Sequence, residues 1–167
     1  MARHYSSGQR IFRDNYIFRQ IENFSAELRA STNRLENSRL SMRKACEMLS
    51  EHGSNDFVRS RLLKDSLRDV SSSSSVLRKI VDPILPSMPG PDTNSLDYEM
   101  DCSDLAIATA ALDKQISESI QTLRTFFYSS RHTVSINQLS RGDVCLRLKA
   151  VEKVAETLYD SLPEPEE

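Results

Sequence analysis

The chain has 167 residues, 38% of them apolar and 28% charged, with a formal net charge of −2, four glycines and no tryptophan. That length suits one domain with its own core, and so little glycine speaks against strands joined by tight turns and for an all-α fold. No run approaches the ~18 uninterrupted apolar residues of a membrane span, and Met1 to His4 lead into polar residues rather than a signal-peptide core.

Cys46, Cys102 and Cys145, an odd number at spacings of 56 and 43, match neither a disulfide framework nor a CxxC metal pattern. They read as reduced thiols filling small apolar gaps, which places the protein inside the cell, in the cytoplasm in preference to the nucleus. Residues 1–80 carry 15 Lys and Arg against 9 Asp and Glu, whereas residues 81–167 carry 7 against 15. The two halves are electrostatically complementary, and packing on each other would cancel their fields.

Residues 1–10 read as a flexible N-terminus and 11–85 as a first helical hairpin. A stripe of Ile17, Ile21, Phe24, Leu28, Ser31, Leu35, Ser38, Met42, Ala45 and Leu49 recurs at alternating spacings of four and three, the 3.5-residue period of helices that pack along their length. It predicts a helix from about Ile11 to Glu51, ended by Gly53. Forty or so residues span about 60 Å at ~1.5 Å each. The segment Ile11 to Phe18 holds more large apolar side chains than one seam needs.

Ser54, Asn55 and Asp56 offer N-cap oxygens for a second helix folding back on the first. Its stripe is Leu63, Leu67, Val70, Ser74, Leu77, Val81 and Ile84, and the frame runs in phase through Ser71 to Ser75. The serine run therefore reads as continuous helix despite its poor propensity, with phosphorylation as a way to melt it. Pro83, Pro86, Pro89 and Pro91 end this helix, and 86–95 form a proline-rich linker. Its two PxxP spacings resemble polyproline ligands, but no arginine flanks them and a spacer is the simpler reading.

Residues 96–162 read as a second hairpin. Its first helix opens near Ser95 or Ser103, with Asp97, Glu99, Asp101 and Asp104 at the positive end of the dipole, and carries Leu105, Thr109, Leu112, Ile116, Ser119, Leu123 and Phe126, widened by Ile120 and Phe127. The pattern breaks from Tyr128 to Gln138. The last helix starts at Ser140, with Asp143 in the capping-box position, and presents Val144, Leu148, Val151, Ala155, Leu158 and Leu162 before Pro163. Residues 163–167 form an acidic tail.

Chemistry-bearing patterns are sparse. Arg141-Gly142-Asp143 spells an integrin-type tripeptide but is explained by helix capping. His4, His52 and His132 sit at the terminus or at helix ends with no nucleophile motif near, and no GxGxxG, P-loop or HExxH occurs. The expectation is a chain that is not an enzyme, with no cofactor and no metal. Arg29, Arg34, Arg39, Arg43, Lys44, Arg59, Arg61, Lys64 and Arg68 keep open an alternative nucleic-acid role for the first hairpin. Interleaved acids favour a salt-bridged face instead.

These features predict two antiparallel hairpins, forming a four-helix bundle or an elongated coiled-coil rod. The last helix, about 22 residues or roughly 33 Å, is little more than half as long as the first, so part of the first stripe lacks an internal partner. The pattern resembles that of the small coiled-coil subunits of cytoskeletal, kinetochore and vesicle-tethering complexes. It implies a structural or adaptor subunit that binds other helical proteins, in a hetero-oligomer rather than a homo-oligomer, through Ile17, Ile21, Phe24, Leu28, Leu35, Met42 and Leu49.

Overall fold

A computed structural model describes residues 19, 22–52, 57–84, 104–128 and 141–162. Among the described residues there are four α-helices and no strand: α1 Ser25–His52, α2 Phe57–Val81, α3 Leu105–Tyr128 and α4 Arg141–Ser161. Residues 1–18, the caps expected at Ser54 to Asp56, the linker 86–95 and the tail 163–167 lie outside the described residues, as do Ser140 and the break before it.

The periodic apolar positions become one core. On α1, Leu28, Leu35, Met42, Ala45 and Leu49 are buried together with Ser38, and on α2 all seven stripe residues from Leu63 to Ile84 are buried. Leu112, Ile116, Ile120 and Leu123 of α3 and Val144, Leu148, Val151, Ala155 and Leu158 of α4 complete a single cluster. Helix α1 packs against α2 and α3, and α4 against the same two, with the α1–α2 and α2–α4 seams the most extensive. The result is a helical bundle in which burial of amphipathic faces, more than propensity, holds the helices.

That order of forces explains the serine run. Ser71 to Ser75 lie inside α2, where Ser73 and Ser74 are 1% and 0% exposed. Their small side chains let neighbouring helices approach closely. Elsewhere the buried hydroxyls of Thr32, Thr109 and Ser119 donate to the carbonyl oxygens of Leu28, Leu105 and Gln115, one turn earlier on their own helices.

One boundary differs from expectation. Residues 22 and 23 are helical but Phe24 is a turn residue, so the first helix is not continuous from Ile11. Phe24 is 39% exposed, and the first buried layer among the described residues is at Leu28. Helix α3 opens at Leu105, near the expected Ser103, and Asp104 caps it, its Oδ1 accepting from the N–H groups of Ala106 at 2.9 Å and Ile107 at 3.1 Å. The tripeptide Arg141 to Asp143 has helical backbone.

Candidate apolar groove and polar seams

Between the last turns of α1 and the first turns of α3 lies an open groove of about 510 Å³. Met42, Cys46 and Leu49 of α1 and Leu63 of α2 line it, facing Leu105, Ala106, Thr109 and Ala110 of α3, with Arg43, Glu47 and Asp113 also contributing. Ala106 and Ala110 stand one helical turn apart beside the stripe residues Leu105 and Thr109. Their short side chains leave the depression open. Burial pushes the Cys46 thiol above its ordinary value, with Thr109 partly opposing, so it is a poor nucleophile at neutral pH.

The seam beside this groove is ionic. The Arg39 guanidinium donates through Nε and Nη2 to both oxygens of Glu36, at 3.0 and 2.7 Å, and through Nη1 to Asp113 of α3 at 2.9 Å. The hydrogen bond from Arg39 holds the Glu36 carboxyl below the usual carboxylate range, and the Glu36 bond in turn raises the arginine. Farther along, Arg124 of α3 donates to Asn33 of α1.

The α2–α4 seam carries a second groove, about 610 Å³, lined on α2 by Arg68, Ser71, Ser75 and Lys79 and on α4 by Glu152, Glu156, Tyr159 and Asp160. Buried Lys64 and exposed Arg68 stand over the Tyr159 ring, 4.5 and 5.2 Å from its centroid, and Arg68 donates to the Tyr159 hydroxyl. Ser71 Oγ donates to Glu156 at 3.2 Å, and Arg78 pairs with Glu152 at 3.3 Å. Both seams join a base of the first half of the chain to an acid of the second, as the charge asymmetry anticipated. Arg39 and Arg78 are thereby committed to acids, whereas Arg29, Arg34, Arg43, Lys44 and Arg61 are exposed.

The seven residues expected to bind a partner separate into three groups. Leu28, Leu35, Met42 and Leu49 are 1%, 0%, 1% and 9% exposed and belong to the chain's own core. Over that length the stripe is sheltered internally, because α2 and α3 both pack on it. Met42 and Leu49 also border the groove. Phe24 is exposed, and Ile17 and Ile21 lie outside the described residues. The exposed Leu40, Leu62, Val76 and Ile107 and the alanines 106 and 110 of the groove's α3 wall were not singled out from sequence; the one-turn pairing of those alanines was the available signal.

Among the described residues no three His, Cys, Asp or Glu side chains are placed to share a metal ion, and no helix is long and apolar enough to cross a membrane. Comparison of the chain with protein families, with characterised proteins and with solved structures found no match.

Proposed function

We propose that this chain is a non-enzymatic structural or adaptor subunit of a larger helical assembly, of cytoskeletal, kinetochore or vesicle-tethering type, and that it meets its partner through the stripe upstream of Leu28. One observation carries the reading. Among the described residues the core begins at Leu28, whereas Phe24, the next stripe position upstream, is 39% exposed and is followed in phase by Ile21 and Ile17 in the sequence. An apolar stripe running past the last buried layer of the described residues favours a partner helix.

The pairs Arg39–Asp113 and Arg124–Asn33 support α1 and α3 running antiparallel. The pairs Arg68–Tyr159, Ser71–Glu156, Arg78–Glu152 and Cys145–Asp82 support the same for α2 and α4. With α1 and α2 as an antiparallel hairpin, α2 and α3 then point the same way along the bundle.

A photo-crosslinking residue placed at Ile21 in the full chain, in cells, tests the proposal. Crosslinks to another helical protein are expected, and Phe24→Asp should weaken them at least tenfold, as for loss of a buried aromatic anchor. Crosslinks confined to the same chain would overturn it.

A further inference from the structure

We propose that Ser71 is a phosphorylation site whose modification opens the α2–α4 seam. Ser71 is half-buried at the edge of α2, and its hydroxyl donates to Glu156 at 3.2 Å across the seam. Phosphoryl transfer from ATP to Ser71 Oγ, with loss of the hydroxyl proton and release of ADP, removes that donor. It puts a group of charge about −1.5 to −2 in its place. The facing surface of α4 is acidic there: Glu152, Glu156 and Asp160 all line the same groove. The hydrogen bond thus becomes a like-charge contact.

The nearest base compounds the effect. Arg68, three residues before Ser71 and so on the same face of the helix, now donates to the Tyr159 hydroxyl and stands over its ring. A phosphate at Ser71 offers Arg68 a stronger, doubly charged acceptor on its own helix, drawing it off α4. Lys79 also lines the groove but lies two turns away from Ser71. Both changes weaken α4's hold on α2.

Access follows from composition. Five consecutive serines make this stretch of α2 intrinsically poor helix, so it opens locally at smaller cost than the leucine-rich turns beside it. Arg68-Asp69-Val70-Ser71 places a base three residues before the acceptor, which suits a kinase whose substrate groove selects arginine. Ser41 of α1 is exposed, lies outside this groove and serves as the internal comparison. The inference stands independently of what covers the stripe at Phe24.

The test uses the full chain with phosphoserine encoded at position 71 or at position 41, and hydrogen exchange of α4 amides from Glu152 to Asp160. Phosphoserine at 71 should speed their exchange roughly tenfold, and phosphoserine at 41 should not. In a Glu156→Lys background the phosphate at 71 should instead slow exchange relative to its unmodified parent. Unchanged exchange with phosphate at 71, equal acceleration from 41, or acceleration that persists with Glu156→Lys would each overturn the proposal. So would failure of an arginine-directed kinase with ATP to modify Ser71 in the folded chain while modifying a peptide of residues 66–76.

Discussion

Ser74 shows how much one hydroxyl weighs in this core. It occupies a stripe position, is 0% exposed, and its Oγ has no hydrogen-bond partner. Its neighbour Ser73 differs, lying 3.3 Å from Ser38 Oγ, which itself donates to the Arg34 carbonyl at 2.9 Å. Burying an unpaired hydroxyl costs about 1–3 kcal/mol, and alanine is the better helix former by some tenths of a kcal/mol. Ser74→Ala should therefore stabilise the protein by about 1 kcal/mol, raising the melting temperature by roughly 2–4 °C for a chain of this size. Ser73→Ala, which gives up a bond, should gain less than Ser74→Ala or lose stability. Thermal and urea unfolding of the two variants decide it, and a destabilised Ser74→Ala would mean that its hydroxyl is satisfied in solution.

At the scale of elements, the α1–α3 seam turns on Arg39, and its pH dependence has a definite sign. The folded-state value of Glu36 lies below its ordinary 4.5. The stability it contributes is fully present above that ordinary value and is lost as pH falls through the folded one. Glu36 and Arg39 side chains are 20% and 12% exposed, so screening limits the contribution to no more than about 1 kcal/mol. Urea midpoints of the wild type and Glu36→Gln should differ at pH 7 and converge as the pH is lowered below 4.5. A constant gap would show that Glu36→Gln acts by packing instead. Periodicity made the helices themselves legible: every α2 stripe position is buried, and the serine run is helical as its phase required. It hid the second face. A heptad template describes one seam, yet each helix here touches two others, so Thr32, Ser73, Ala108 and Val154 are buried off the stripes. The Asp104 cap and the alanine-walled groove were hidden for a related reason, since both depend on where α3 begins and that boundary lies in an acidic stretch with several candidate caps.

The whole molecule is constrained by the chain between α2 and α3. Leu63, near the start of α2, and Leu105, at the start of α3, line the same groove, whereas Asp82, just past the end of α2, lies beside Cys145 near the start of α4. From Leu63 to Ile84 is about 30 Å at ~1.5 Å per residue. A bundle of this register requires residues 85–103 to cover that distance to reach Asp104. Nineteen residues reach up to roughly 65 Å at ~3.4 Å each, so the span is within range. A rod of two hairpins laid end to end would place the start of α3 beside the end of α2 and need only a few residues. Deleting 86–99 separates the two architectures. The five residues left reach about 20 Å at most, too little for the bundle. The shortened chain should lose its cooperative monomeric unfolding transition, or recover it only by exchanging α3 and α4 with a second copy to form a dimer. Replacing 86–99 by an equal length of Gly-Ser should leave a folded monomer, because loop composition changes closure entropy only slowly. Light scattering with thermal unfolding reads the outcome, and a deletion variant that stays monomeric with an unchanged melting temperature would refute the crossover.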